Sequence, residues 1–241
     1  MKTEDIILDI TTDISNSLSD NALMSTIKKH STRYGAENFL FGSALYHDLK
    51  PYPDIYILTG YSNKWQKRYH DKNYFDQDLT VAHCKEKTTP IIWPTQNKEI
   101  RQIDKQIFSE AADFGLRSGI SFPFHTTTGE YGALAVSSSE DYQKSELSNP
   151  ENLFSLQILG STLFDLVRLK GKKENTITLT EREKECLKWV ATGKTSWEIS
   201  IILGLSERTV VFHIKNAASK MDTTSRTNAS IIAILNGEII I

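Results

Sequence analysis

Residues 178–226 read TLTEREKECLKWVATGKTSWEISIILGLSERTVVFHIKNAASKMDTTSR, a stretch with the period of successive helices. Thr180 and Glu183 form a capping box, in which each side chain satisfies a backbone N–H of the other residue. Thr195 and Glu198 repeat that pattern. The spacing therefore predicts one helix that begins just after Thr180 and a second that begins just after Thr195.

A third helix is predicted from Ser206, the expected N-cap, to about Met221. Gly204 lies in the short turn between the second and third helices. Two helices joined by a glycine-containing turn of three or four residues are typical of a helix-turn-helix. We place this motif at about residues 198–217.

The third helix has two unlike faces on a wheel of about 100° per residue. An apolar face is formed by Val210, His213, Ile214, Ala217 and Met221. The opposite face mixes cations with apolar side chains: Arg208, Val211, Phe212, Lys215 and Ser219. That mixture suits the DNA major groove, where Arg and Lys reach guanine edges or phosphates and apolar groups contact thymine methyls. The alternative is a solvated face with one stray aromatic residue. The predicted DNA-binding residues are Lys194, Thr195, Arg208, Thr209, Val211, Phe212, Lys215, Asn216, Ser219 and Lys220.

Composition indicates a soluble protein of two unequal domains. The 241 residues are 39% hydrophobic and 24% charged, and the formal net charge is −2. Residues 170–241 hold 11 Lys/Arg against 8 Asp/Glu, so the basic charge lies in the smaller part, as in a polyanion-binding module. No apolar run approaches the ~20 residues of a membrane span. Cys84 and Cys186 lack metal-ligand spacing, which favours free thiols in the cytoplasm and predicts no metal or cofactor.

Residues 1–169 predict a separate domain of the α+β class, with an antiparallel sheet flanked by helices. Helices are expected at 3–18, 21–34, 63–72, 100–114 and 151–169. Strands are expected at 38–46, 54–60, 120–124 and 131–138, and a polar loop at 80–87. Residues 170–177, almost without apolar side chains, are the predicted linker to a DNA-binding domain at 178–241.

Residues 61–93 concentrate aromatic side chains around one carboxylate. Trp65 and Tyr69 lie four residues apart, so a helix places them on one face, and Tyr61 precedes them by one turn. Asp78 and Trp93 follow. Aromatics at this spacing usually belong to a core. An aromatic cage with one carboxylate would instead suit a small apolar ligand that carries an amide N–H and carbonyls.

Residues 179–221 closely resemble the DNA-binding domain of LuxR-type transcription regulators. The matching residues are Leu179, Arg182, Glu183, Leu187, Gly193, Lys194, Glu198, Ile199, Leu203, Ser206, Thr209, Val210, His213 and Lys220. The resemblance implies an all-α module of four helices whose third helix reads DNA, with residues 229–237 as the fourth helix and a dimer contact. Val211 departs from the family, in which this position is often polar or basic.

The upstream chain resembles the autoinducer-binding domain of LuxR-type quorum-sensing regulators, an α/β/α sandwich similar to GAF and PAS domains. The hallmark positions are held by Tyr61, Trp65, Tyr69, Asp78, Trp93 and Gly119, and residues 113–124 match as well. The implied ligand is an N-acyl homoserine lactone. Trp65 would donate to the lactone carbonyl, Asp78 would accept the amide N–H, and Tyr61 would donate to the acyl carbonyl. Tyr69 and Trp93 would wall the pocket. The acyl end would be lined by Leu40, Ile107, Ala111 and Ala135, and Ala135 departs from a family position that is often Ser or Thr.

The resulting hypothesis is a homodimeric, ligand-responsive transcription regulator that binds a dyad-symmetric operator. One alternative keeps the DNA binding but replaces the lactone with another small molecule, or with none. An enzyme is the other alternative, and His83–Cys84 is the adjacent candidate pair. Neighbouring residues on one short element rarely form a working dyad, so we predict no catalytic residue.

Overall fold

The computed structural model describes residues 3–45, 53–94, 100–171 and 178–241. Most of the predicted linker, residues 172–177, lies outside the described residues. Contacts divide the chain into two compact units, which are described separately. Within these ranges no helix has the length and apolar character needed to cross a membrane.

The larger unit is built on an antiparallel sheet whose described strands lie in the order β2-β1-β5-β4-β3. Their bounds are β1 Asn38–Leu45, β2 Asp54–Thr59, β3 Ile91–Trp93, β4 Ser118–His125 and β5 Tyr131–Ser138. Helices flank the sheet: α1 Thr3–Ser15, α2 Asp20–Arg33, α3 Asn63–Asp71, α4 Leu79–Glu86, α5 Gln102–Ala112 and α6 Pro150–Gly171. This architecture confirms the predicted α+β class.

The two faces of the sheet serve different purposes, because alternate residues of a strand point to opposite sides. Phe41, Phe122 and Leu134 belong to the main core, which also includes buried residues of α1, α2 and α6. We call the opposite side the inner face. It carries Leu40 and Ala135, which are paired across β1 and β5 and are only half-buried.

Two expectations for the larger unit were wrong. The polar segment 80–87 is not a loop, because all of it except Lys87 lies in helix α4. It has little apolar pattern to reveal it, and its start is stabilised by Asp78, whose side chain accepts the backbone N–H of Thr80. The first helix ends at Ser15 rather than Leu18, which is 88% exposed, because Ser19 already caps the next helix.

The smaller unit has the predicted helices, α7 Glu181–Ala191, α8 Ser196–Leu203, α9 Glu207–Lys220 and α10 Arg226–Leu235. Both predicted capping boxes are present, and Ser206 caps α9. Gly204 ends α8 with φ +65°, a left-handed conformation that glycine adopts without strain. The fourth helix begins at Arg226, earlier than predicted, because Ser225 is its N-cap.

The burial of α9 follows the predicted wheel closely. Val210, Ile214, Ala217 and Met221 are buried. His213 is only partly covered, and its ring lies edge-on to Phe212 instead of in the core. The opposite face therefore remains at the surface of this unit.

Candidate functional site

The predicted aromatic cage forms one cluster in the larger unit. Trp65 and Trp93 are buried in it, and Tyr61 and Tyr69 pack against it. Trp65 and Tyr69 lie on α3, with ring centroids 5.6 Å apart and planes inclined by 64°. Tyr74, which the sequence argument did not single out, packs against both rings. The structure thus brings four of the predicted residues into one apolar environment.

Asp78 supplies the carboxylate of this cluster and is almost fully buried. Its Oδ2 accepts the Tyr69 hydroxyl at 2.8 Å, and its Oδ1 accepts both the N–H and the hydroxyl of Thr80 at 2.7 Å. Burial, followed by the charge of Asp78, raises the pKa of Tyr69 above its usual value. Tyr69 therefore remains a protonated donor that orients the carboxylate, in addition to its predicted role as a wall.

The two tryptophans of the cluster differ in their hydrogen bonding. The Trp93 indole N–H donates to Ser121 Oγ at 3.1 Å, and its ring stacks on Phe108. Among the described residues, no hydrogen bond is made by the indole N–H of Trp65, although the side chain is only 4% exposed. Trp65 therefore has an N–H donor available in an apolar setting.

Gly119 has a steric reason to be glycine. It pairs with Trp93 across β4 and β3, and a Cβ at this position would overlap the Trp93 indole and the carbonyl oxygen of Val136. The missing side chain lets the indole lie against the sheet. This contact fixes one wall of the candidate pocket.

The residues predicted at the acyl end fall into two pairs. Ile107 and Ala111 lie on α5 and belong to the aromatic cluster. Leu40 and Ala135 face each other across β1 and β5 on the inner face and are half-buried. Apolar side chains are therefore present on both a helix and the sheet, as an alkyl chain requires.

Tyr61 and Ser137 form a polar pair that the sequence argument identified only in part. Burial raises the pKa of Tyr61, the nearby Ser137 hydroxyl lowers it, and Asp78 raises it further. Ser137 Oγ is buried without a hydrogen-bond partner among the described residues. Strand periodicity, which places Ser137 on the same face as Ala135, was the available signal for this residue.

The candidate enzyme pair lacks the properties of a nucleophile and its base. Burial, aided by Asp78, raises the pKa of the Cys84 thiol to about 12. His83 Nε2 instead lies 2.7 Å from the carbonyl oxygen of Thr89. The thiol is therefore protonated near neutral pH and is not activated.

The predicted DNA-binding face of α9 lies at the surface of the smaller unit. Phe212 is 58% exposed, an unusual position for an aromatic side chain. The other exposed residues of this face are Arg208, Lys215 and Ser219, and Thr209, Val211 and Asn216 are half-buried. An open groove of about 810 Å³ runs beside Val211, Lys215 and Ser219. A concave surface of this kind, with cations at its edge, suits a polyanion.

The predicted residues flanking this face are held by contacts within the unit. Lys194 approaches Glu198, and Thr195 caps α8 through the same Glu198. Thr209 pairs with the hydroxyl of Ser206.

Lys220 differs from the other predicted residues that flank this face, because its Nζ donates to the buried Glu183 at 2.7 Å and to the carbonyl oxygen of Thr178.

Arg226, which the sequence argument did not single out, positions the start of α8. Its guanidinium donates to the Lys194 carbonyl at 2.6 Å and to Ser196 Oγ at 3.3 Å. These bonds hold the N-terminus of α8 beside the groove, and the backbone N–H groups of a helix N-terminus attract anions. An arginine just before the predicted fourth helix was the available signal.

One unit of the chain is a sheet flanked by helices that holds an apolar cluster with an unpaired N–H donor. The other is a helix-turn-helix unit. Together they define a ligand-responsive DNA-binding regulator. The sequence profile of the autoinducer binding domain matches residues 19–167. The profile of the bacterial regulatory proteins of the LuxR family matches residues 177–233. The chain belongs to the LuxR family of autoinducer-binding transcription regulators of quorum sensing, which are not enzymes.

Relatives share this organisation over most of their length. The transcriptional activator LuxR of Aliivibrio fischeri is 35% identical over 207 residues, which cover 84% of this chain and 82% of LuxR. AnoR of Acinetobacter nosocomialis is 31% identical over 91% of this chain and 92% of AnoR.

Solved structures show the same fold. The crystal structure of Escherichia coli SdiA is similar over the full length of both chains, with a TM-score of 0.71 at 22% identity. A complex of SdiA with octanoyl-rac-glycerol gives 0.69 at 22% identity over 98% of this chain and 96% of SdiA.

Proposed function

We propose that this regulator senses an N-acyl homoserine lactone with residues 1–169 and binds a dyad-symmetric operator as a homodimer through residues 178–241. Residues 170–177 join the two parts, and the protein acts in the cytoplasm, where its operator lies. The observation that carries the ligand proposal is the aromatic cluster around the Tyr69–Asp78 hydrogen bond, in which the Trp65 indole N–H has no hydrogen bond to a described residue.

The chemistry of the lactone matches these groups one by one. Trp65 donates to the lactone carbonyl, and Asp78 accepts the amide N–H in addition to the Tyr69 hydroxyl. A carboxylate oxygen has lone pairs for both bonds. Tyr61 donates to the acyl carbonyl. The alkyl chain then packs against Leu40 and Ala135 on the sheet and against the apolar side chains of α5.

Ligand binding would change the affinity of the protein for its operator through thermodynamic linkage. A ligand that binds only the folded, DNA-competent form shifts the equilibrium by its differential affinity for that form. Filling the cluster would give the Trp65 indole N–H an acceptor and bury apolar surface of the ligand, which favours the compact sensor unit. Operator affinity and thermal stability should therefore rise together with ligand concentration.

The test is a titration of the purified full chain with unsubstituted and 3-oxo homoserine lactones of four to twelve acyl carbons, following the melting temperature and operator binding. We expect a saturable rise in both for a narrow range of chain lengths. Octanoyl-rac-glycerol serves as a probe of another class. A response to this probe but to no lactone, or promoter binding that needs no ligand, would replace the proposal with a regulator of different input.

The DNA proposal depends on the exposed face of α9. Arg208→Ala and Lys215→Ala should each cost about 1–3 kcal/mol of operator binding where the residue reads a base. Equal losses on operator and random DNA would identify phosphate contacts instead. A homodimer further predicts two half-sites about one helical turn apart, visible by footprinting, and a dimer in sedimentation. A monomer on a single half-site would contradict the dimer.

A further inference from the structure

An arginine and an aspartate at the start of α5 form a two-bond ion pair. Asp104 is 1% exposed, and its carboxylate accepts the Arg101 guanidinium twice, from Nε to Oδ2 and from Nη2 to Oδ1, each at 2.7 Å. A pair with two parallel bonds fixes the plane of the guanidinium as well as its distance. Because an ionised carboxylate is costly to bury without partners, Asp104 depends on this arginine.

The same pair holds the backbone on both sides of Asp78. Asp104 Oδ1 also accepts the backbone N–H of Leu79 at 3.1 Å. Arg101 Nη2 also donates to the carbonyl oxygen of Gln77 at 2.6 Å. The residue before Asp78 and the residue after it are therefore each bonded to the pair, which restricts the rotation of the residue between them.

The direction of the Asp78 carboxylate matters because both of its oxygens already have partners. Oδ1 accepts the N–H and the hydroxyl of Thr80, and Oδ2 accepts the Tyr69 hydroxyl. Hydrogen bonds weaken steeply with misalignment, so a rotated backbone would move the remaining lone pairs away from a further donor. The charge of Asp78 also reaches the pair: the hydrogen bond with Asp104 raises the pKa of Arg101, and Asp78 contributes in the same direction.

We propose that Arg101 and Asp104 are positioning residues for ligand recognition, which hold segment 77–79 so that the Asp78 carboxylate accepts the amide N–H of the ligand. Neither side chain of the pair has to touch the ligand. The proposal rests on the proposed lactone function, which assigns the amide to Asp78. It differs from a purely stabilising role, because it requires that the effect of the pair on affinity pass through Asp78.

The experiment is a double-mutant cycle on lactone affinity in the full chain. Arg101→Gln is measured alone and together with Asp78→Asn, which removes the charged acceptor. Arg101→Lys is a second variant in case the glutamine variant does not fold. Lysine keeps a cation beside the buried Asp104 but lacks the planar fork that also reaches the carbonyl oxygen of Gln77.

Arg117→Gln is the matched control. Arg117 also forms an ion pair with an aspartate, Asp141, at 2.9 Å, and its side chain is 59% exposed against 56% for Arg101. This pair joins residues on either side of the β4–β5 hairpin instead of holding segment 77–79. A second readout, amide hydrogen exchange of Leu79 in the unliganded protein, reports directly on how firmly that segment is held.

We expect Arg101→Gln to weaken lactone binding about tenfold, the equivalent of ~1.4 kcal/mol, and to have much less effect once Asp78 is Asn. Arg101→Lys should recover the melting temperature but not the affinity, and Arg117→Gln should bind as the wild type does. The Leu79 amide should exchange faster in Arg101→Gln than in the wild type.

An unchanged affinity in Arg101→Gln, an equal loss in the presence and absence of Asp78→Asn, or full recovery of affinity in Arg101→Lys would overturn the assignment. Unchanged Leu79 exchange in Arg101→Gln would overturn it as well, without any ligand. A wild-type protein that binds no lactone contradicts the proposed function itself, so the two failures are distinguishable.

Discussion

The two units of this chain differ in how completely their buried polar groups are paired. In the smaller unit Glu183 is buried, but its carboxylate accepts Lys220 Nζ at 2.7 Å and the backbone N–H of Thr180 at 2.8 Å. In the larger unit several buried polar atoms, among them the hydroxyls of Ser43 and Ser137, have no hydrogen-bond partner among the described residues. The first arrangement stabilises a fold that is complete without a ligand.

The second arrangement indicates a fold that gains hydrogen bonds when a small molecule enters. A ligand site needs donors and acceptors that the protein leaves unused, whereas a DNA-binding surface holds its functional groups in solvent. Unpaired donors within the aromatic cluster are therefore candidates for ligand binding, whereas unpaired hydroxyls of the main core, such as that of Ser43, are not. Four substitutions test that distinction.

Lys220→Met should have the largest effect, about 2–3 kcal/mol of destabilisation of the smaller unit, because Glu183 is left buried without its cation. Faster hydrogen exchange of the amides of α7 and α9 in the full chain reports this loss. Lys215→Met, at an exposed position on the same helix, is the control and should leave exchange unchanged. Normal protection in Lys220→Met would show that the pair contributes little.

Asp78→Asn should lower lactone affinity by about 2 kcal/mol, the scale of a hydrogen bond to a charged acceptor, or roughly thirtyfold. The unliganded melting temperature should change little, because Asn caps a helix as well as Asp does. Asp71→Asn removes a carboxylate at the surface of α3 and should not affect the affinity. Calorimetric titration measures the lactone affinity of both variants. Equal losses of affinity would contradict a specific role of Asp78 in ligand binding.

Trp65→Phe should cost about 1 kcal/mol of lactone affinity, since the ring packing largely survives while the N–H donor is lost. Trp197→Phe, an exposed position in the smaller unit, is the control. The measurement is the same titration. An unchanged affinity for Trp65→Phe would mean that its N–H does not bind the ligand.

The smallest effect concerns pH. Burial alone would raise the pKa of Glu183, but the bonds from Lys220 and Thr180 outweigh it and hold the pKa below its usual 4.5. The folded pKa is thus lower than the unfolded one, so this stability is present above about pH 4.5 and is lost as pH falls through the folded value. Acid unfolding of the smaller unit, monitored by hydrogen exchange, should depend less steeply on pH in Glu183→Gln than in the wild type. An acid-unfolding profile identical to that of the wild type would mean that other groups cause the loss of stability at low pH.

Local signals account for most of what the sequence predicted correctly. The capping boxes at Thr180 and Thr195 and the cap at Ser206 act within four residues, so spacing alone locates three helices. The fourth helix and α4 were misplaced or missed. Their starts depend on the side chains of Ser225 and Asp78, which lack an apolar pattern to mark them.

The part of the candidate site that lies on one helix was predictable from the sequence. Trp65 and Tyr69 share a face because they lie four residues apart, and Asp78 follows closely in the chain. Ser137 was missed because its unsatisfied state depends on which neighbours from distant strands fail to reach it, and a single sequence does not contain that information. The ligand and DNA roles of the site residues stay predictions.

The most direct test of the account is an NMR titration of the tryptophan indole N–H resonances with the tightest-binding lactone. The chain has four tryptophans, which single Trp→Phe variants assign. If Trp65 donates to the lactone, its N–H resonance should show the largest downfield shift, and Trp93, which already donates to Ser121, should change little. A shift at Trp93 with none at Trp65, at saturating ligand, would contradict it.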